Sequence, residues 1–295
     1  MKKRKSSISI TGILYLLPAL IFVIGFNVIP FVWNTILSFQ SWNGFTAAEF
    51  VGLKNFKTVL ADPVFLKSLL NSVLYAACST LGGVLLGLML ATFIYKLGDK
   101  EGSVFRLILY SPAMVPTAVV GLMFVFFFNP EMGLLNNFLK IIGLESLQHV
   151  WLQEKATAMA CLIFVAIWKC AGSVMMMCFA SMQTLPASLY ESAKLDGASF
   201  WQQMFKITYP LIKPMILLAT INTLGSQYKS YDLIQTMTQG GPGNLTSTVP
   251  ILMTKTAFNF GRFGQAAAHG VIFTAIVAVS IILVRYVLRS EEYEY

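Results

Sequence analysis

The chain has 295 residues, 56% of them hydrophobic and only 12% charged, about half the ~25% charge of a soluble domain, which excludes a water-soluble globular enzyme. Its net charge of +8 lies in short loops between apolar runs rather than on one soluble face, so nucleic acid is set aside as a partner and the charge reads as membrane topology.

A membrane-spanning helix needs about 20 mostly apolar residues, and windows of that kind fall at 11–38, 69–96, 107–128, 156–180, 212–236 and 266–288. The opening "MKKRKSSIS" reads as a basic tail before a retained first span, because the apolar run is too long for a signal peptide and no small-residue cleavage site follows. Six spans put both ends on one side. That side carries twelve Lys and Arg, in the N-terminal tract, around 97–106, through 181–213 and at the C-terminal end, against seven opposite. The excess places both termini in the cytoplasm. Trp33, Trp42 and Trp151 then lie near the outer interface and Trp201 near the inner one. The expected fold is an all-α membrane protein: a basic tail over 1–10, a domain of six transmembrane helices over 11–288, and a tail over 289–295.

In the fourth window Lys169 shares a helical face with Gly172, Ser173 and Met176, and Trp168 flanks it. The Met175–Met177 run reads as adaptable packing. Between the fourth and fifth windows, residues 185–214 form the longest polar segment in the middle of the chain, "LYESAKLDGASFWQQMFKITYPLIKP" within it. The pattern predicts two short cytoplasmic helices. Pro186 and Ser188 open the first, Gly197 stops it, and Ser199 with Gln202 starts the second; Pro210 and Pro214 mark entry to the fifth span. Ser188 and Glu191 also match capping-box spacing, so Glu191 either caps its own helix or serves a partner.

A charge at mid-bilayer costs about 2.5–3.5 kcal/mol on insertion scales, so such residues face protein or water. Asn222, Ser226 and Lys229 recur at i, i+4 and i+7 in the fifth window, with Asp232 one turn on, a stripe expected to face the bundle interior. Lys229 and Asp232 either pair structurally or line a pathway. By helical geometry Gln227 and Tyr228 point away from that stripe. The Gly-rich "TQGGPGN" (238–244) lacks the Lys-Ser/Thr of a phosphate loop and reads as an outer turn; with "NFGRFGQA" (259–266) it makes part of the outer surface.

The catalytic and nucleotide motifs are missing. There is no G-x-x-x-x-G-K-[ST], no H-E-x-x-H and no G-x-S-x-G. His149 and His269 stand alone, and Cys78, Cys161, Cys170 and Cys178 all lie in apolar runs without metal-ligand spacing. The chain is expected to be non-catalytic, with no metal and no cofactor. Any nucleotide energy must come from a partner.

The polar segment resembles the cytoplasmic coupling motif of bacterial ABC importer permeases: E-A-A, three residues, Gly, then about nine residues to I-x-x-P. It stands here as Glu191-Ser192-Ala193, Gly197-Ala198, Ile207 and Pro210, with Ser for the middle Ala. "VGLKNFKTVLADPVFLKSLLNSVLY" (51–75), "NPEMGLLNNFL" (129–139) and "YDLIQTMTQGGPG" (231–243) are similar to segments of the carbohydrate-type branch, the permeases of maltose, multiple-sugar and glycerol-phosphate importers. The resemblance covers about 11–288, and the short first outer loop fits the multiple-sugar type.

The resemblance implies a permease subunit in the bacterial cytoplasmic membrane, forming half of the pathway for a carbohydrate. Its partners would be two cytoplasmic ABC ATPase subunits, a second permease that is either a different chain or another copy, and an extracytoplasmic sugar-binding protein. Glu191, Ser192, Ala193, Asp196, Gly197, Ala198, Ile207 and Pro210 would couple to the ATPase. Lys169, Ser173, Asn222, Ser226 and Lys229 would line the substrate pathway. The competing reading is a self-contained, ion-coupled transporter or channel with Lys169, Lys229 and Asp232 as its charges. It leaves the segment from Glu191 to Pro210 without a purpose, and no internal repeat supports it.

Overall fold

The computed structural model describes residues 10–97 and 99–288. The tail over 289–295, and all of the basic tail but Ile10, lie outside the described residues. In chain order the elements are α1 (Ile10–Val23), a π turn at Ile24–Val28, α2 (Ile29–Leu37), strands β1 (Gln40–Ser41) and β2 (Glu49–Phe50), α3 (Lys54–Ala61) and α4 (Pro63–Lys96). Next come α5 (Asp99–Met114), α6 (Thr117–Phe127), α7 (Leu134–Ile141) and α8 (Ala158–Gln183). After these stand α9 (Ala187–Leu195), α10 (Phe200–Gln203), a π turn at Met204–Thr208, α11 (Tyr209–Leu211) and α12 (Lys213–Tyr228). The chain ends on α13 (Asp232–Met237), α14 (Val249–Thr254), a π turn at Lys255–Asn259 and α15 (Phe263–Val287).

Among the described residues, four helices are long and apolar enough to cross a membrane, or up to six if each bent pair is one span. The first, second, fourth and sixth windows match helices directly. The third and fifth do not. The third straddles a break where α5 and α6 meet at 94°, and α12 ends at Tyr228, with the preceding 200–211 helix meeting it at 68°. Val115-Pro116 explains the first break, since a residue before proline is pushed out of the helical region. Lys229, Ser230 and Tyr231 separate α12 from α13, inside what reads as one apolar window. The β1–β2 pairing, Gln40 with Phe50 and Ser41 with Glu49, is the departure from all-helical structure among the described residues.

The chain forms two compact units. One comprises 10–62 and 253–272. There Asn55 donates to the Ser38 and Gln40 carbonyls (3.0 and 2.8 Å), tying α3 to the end of α2, and Trp42 packs on Phe263 at 5.3 Å between ring centroids.

The other unit, 63–252 with 273–288, is built on α4 and α8. Pro63 opens α4 six residues ahead of the expected window, and its 34 residues run about 50 Å, well beyond a ~30 Å hydrocarbon core. Gly83, Gly87 and Ala91 recur every four residues on α4, the small-residue spacing that lets helices approach closely. A Cβ at Gly87 would sit 2.6 Å from the Val174 Cβ and 2.8 Å from the Ala171 carbonyl oxygen, and Gly83 meets Cys170 in the same way. Gly172 brings α8 as close to α5, where a Cβ would lie 2.5 Å from the Leu109 oxygen. Two apolar clusters flank this contact. One gathers Tyr75, Val120, Leu162, Val165 and Ile234; the other gathers Ala91, Ile94, Met175, Cys178, Met182 and Ile212.

Candidate functional site

The segment from Pro186 to Leu211 folds as two helices around a glycine corner. Gly197 takes φ +77°, and the amides of Gly197 and Ala198 donate to the Lys194 and Ala193 carbonyls (3.0 and 2.9 Å), closing α9. The expected Ser199–Gln202 capping box is present: the Ser199 amide donates to Gln202 Oε1 at 2.7 Å and the Gln202 amide to Ser199 Oγ at 3.4 Å. The Ser188–Glu191 box is not. Helix α9 starts at Ala187 behind Pro186, without a side-chain cap, so Glu191 lies beyond the capping turn.

Glu191, Ser192, Asp196, Gly197 and Pro210 are exposed; Ala193, Ala198 and Ile207 are half-buried. Leu195 is 90% exposed, Trp201 59% and Phe205 64%. Tyr190 and Thr208 turn inward, their hydroxyls 3.0 Å apart. The segment therefore offers two carboxylates, Glu191 and Asp196, and several apolar side chains outward while its two helices are tied together behind.

A second group of residues surrounds a cavity of about 380 Å³, toward the small end of the ~300–1,000 Å³ typical of small-molecule sites. Lys169, Ser173, Asn222, Ser226, Lys229 and Asp232 all line it, so the stripes on the fourth and fifth windows do converge. Gln227 lines it as well, contrary to the helical-geometry expectation, while Tyr228 turns away to Ser280 (2.8 Å). Gln227 is itself buried, so a long side chain starting from the back of α12 still reaches the cavity wall. On α8 it is Met177 that joins Lys169 and Ser173, whereas Gly172 packs on α5 and Met176 on the second apolar cluster.

Lys169 Nζ donates to the Val115 carbonyl at 2.9 Å and the Ala113 carbonyl at 3.5 Å. These are carbonyls freed by the α5–α6 break, and the Lys169 side chain satisfies backbone that the break leaves without helical partners. Lys229 and Asp232 form no ion pair within 4.0 Å among the described residues. Sequence reasoning missed Tyr75 and Ser230, whose hydroxyls are 3.1 Å apart at the cavity edge. A lone Tyr in an apolar run carries no positional signal.

The Gly-rich loop is a turn as expected, and the residues that follow it are buried. Thr246, Ser247 and Thr248 are at most 2% exposed. A polar face of α4 holds them: Asn71 donates to the Leu245 and Ser247 carbonyls (3.0 and 2.9 Å), and Ser72 accepts the Val249 amide at 2.9 Å. The α7–α8 connection is held similarly. Asn136 accepts from Trp151 Nε1 at 2.7 Å, and Glu154 receives the Val150 amide and faces His149 Nδ1, each at 2.8 Å. The Val150 amide, with His149, keeps the Glu154 carboxyl below the usual carboxylate range. In the first unit, Trp42, Asn43, Glu49, Arg262 and Gln265 line a separate polar cavity of about 620 Å³.

The model of the family described as binding-protein-dependent transport system inner membrane component matches residues 83–292. A probable ABC transporter permease protein of Bacillus subtilis, YurN, is 37% identical over 282 residues, 95% of this chain and 96% of that one. The diacetylchitobiose uptake system permease protein NgcF of Streptomyces coelicolor is 35% identical over 283 residues, 92% of this chain and 80% of that one. Among solved structures, a bacterial ABC transporter involved in import of the acidic polysaccharide alginate has a chain that superposes with a TM-score of 0.81 at 24% identity, 94% of both chains covered.

Proposed function

The chain belongs to the family of binding-protein-dependent transport system inner membrane components, the permease subunits of ABC importers, and on that premise we propose that it forms half of a carbohydrate pathway driven by partner ATPases. The observation that carries this reading is the segment 185–214. Its α9 presents Glu191, Ser192 and Leu195 outward, Gly197 turns the chain back, and of the family's pattern Glu191, Ser192, Gly197 and Pro210 are exposed. The chain has no phosphate-cradling motif of its own. Two cytoplasmic ATPase subunits would supply the energy, and α9 would dock in one of them.

In this reading the chain is a six-span protein, each bent pair counting as one span, with both termini and residues 185–214 in the cytoplasm and 11–288 forming one permease domain. Lys169, Ser173, Asn222, Ser226 and Lys229 would face the substrate, beside a second permease. A carbohydrate suits the amides and hydroxyls at the cavity, which can exchange hydrogen bonds with sugar hydroxyls. Relatives named for sugar transport, NgcF among them, support the class. A binding protein on the outer face would deliver it.

The ion-coupled alternative gains one observation, that Lys169, Lys229 and Asp232 share a cavity. It loses another, because Lys169 is engaged by backbone carbonyls and the other two are not paired. The test is isolation of the tagged chain from native membranes, with its stoichiometric partners and bound ligand identified by mass spectrometry. The reading expects an ABC ATPase, a permease and a saccharide; a chain that purifies alone and transports alone contradicts it.

A further inference from the structure

Helix α4 makes hydroxyl contacts at two places along its length, near its C-terminus and at Tyr75. Near its C-terminus, Thr92 Oγ1 lies 2.8 Å from the Tyr209 hydroxyl and 2.8 Å from its own Leu88 carbonyl. A threonine has one O–H, so with that proton on Leu88 O the bond between the two side chains is donated by Tyr209. The same logic applies one step further out. Thr208 Oγ1 donates to the Gln203 carbonyl at 3.4 Å, leaving Tyr190 of α9 as the donor across 3.0 Å. Thr92 and Thr208 are 3% and 0% exposed, so these bonds lie in surroundings where an unmade hydrogen bond is costly. Further contacts converge on the same joint. Tyr95 meets Tyr190 at 6.1 Å between ring centroids, and the Lys96 ammonium stands 5.6 Å from the centre of the Phe200 ring. Thr208 closes the π turn at Met204–Thr208, a local helix distortion often found at functional positions.

Seventeen residues earlier on the same unbroken helix stands Tyr75, roughly 25 Å away at ~1.5 Å per residue. Its hydroxyl is 3.1 Å from Ser230 Oγ, in the break between α12 and α13 that forms part of the cavity wall. One rigid helix is thereby bonded to the α9–α11 segment at one end and to the cavity at the other. Between them Gly83 and Gly87 bring it into close contact with α8.

We propose that Tyr209 and Tyr75 are positioning residues that make α4 the rod carrying displacement of the α9–α11 segment to the cavity, through Tyr209–Thr92 at one end and Tyr75–Ser230 at the other. This rests on the reading of that segment as the ATPase docking site. The direct covalent route from α11 into α12 passes through the 68° bend at Ile212, where a push is turned aside rather than transmitted along an axis. The hydroxyl-bonded route bypasses that bend and enters the unbroken α4 directly.

The test uses the complete complex in proteoliposomes and measures saccharide taken up per ATP hydrolysed. Tyr209→Phe removes a donor and leaves Thr92 bonded to Leu88, so it should fold and assemble normally. It should keep basal ATPase activity while uptake per ATP falls about three- to tenfold. Thr92→Ser, which retains the hydroxyl, should restore nothing lost and lose nothing itself. Tyr75→Phe should lower the ratio to a similar degree, and the double variant should be no worse than the poorer single one, because the two bonds lie in series; independent sites would multiply their losses. Unchanged uptake per ATP in Tyr209→Phe, or multiplicative losses in the double variant, overturns the inference. A wild-type chain that recruits no ATPase overturns the docking reading itself, which separates the two failures.

Discussion

Glu191 has no hydrogen-bonded role within its own helix, and this separates two effects that the sequence left tangled. Since α9 begins at Ala187 and carries no side-chain cap, Glu191→Ala should leave the isolated subunit's thermal stability unchanged. If the side chain docks against an Arg or Lys, the same change should weaken assembly by about 1.5–3 kcal/mol. Gly197 behaves in the opposite sense. A Cβ there meets nothing within 4 Å, but φ is +77°, so Gly197→Ala should cost about 1 kcal/mol through backbone strain alone. Gly197→Pro also removes the amide bonded to the Lys194 carbonyl and should misplace α9 altogether. Melting curves of each variant, set beside ATPase copurification yields, distinguish the four expectations.

At the level of elements, the α4–α8 contact is set by small residues. Gly87→Leu would drive a side chain into Val174 and the Ala171 carbonyl, so it should destabilise by about 1–3 kcal/mol. Gly225→Ala, in α12 with open space around it, should instead be neutral or stabilise by up to about 1 kcal/mol. Thermal unfolding in detergent compares the two directly. These elements also show what could be read without coordinates. The first, second, fourth and sixth windows and the Gly197 corner were legible because apolar length and a φ-positive glycine leave marks in the sequence. The breaks at Val115-Pro116 and at Lys229–Tyr231 were not, because a hydropathy window averages over a bend. The convergence of Lys169 with Asn222 and Ser226 followed from helical spacing. That Lys169 is bonded to carbonyls of the broken α5–α6 pair did not, since it depends on which helix lies opposite. Tyr75, Ser230 and the buried Thr246–Thr248 stretch were equally silent, their roles being fixed by tertiary neighbours.

At the scale of the whole molecule, the account needs both bent pairs to count as spans; with α5–α6 as a span, Glu145 stands outside and Lys194 in the cytoplasm, and without it the two sides exchange. Both residues are exposed. Single cysteines at those positions, in a chain stripped of Cys78, Cys161, Cys170 and Cys178, should react with an impermeant thiol reagent from the outside at position 145 and only from the inside at position 194; the reverse pattern, or reaction of both from the outside, would remove the six-span arrangement.

The central claim is that the chain is a passive half-pathway whose work is done by a partner, and uptake into proteoliposomes tests it most directly. The purified chain alone, given a saccharide and a proton or sodium gradient, should transport nothing. The complex with ATPase, second permease and loaded binding protein should accumulate saccharide only when ATP is present on the ATPase side, and Glu191→Ala should reduce that uptake. Gradient-driven uptake by the chain alone would contradict the account and return Lys169, Lys229 and Asp232 to the role of coupling charges.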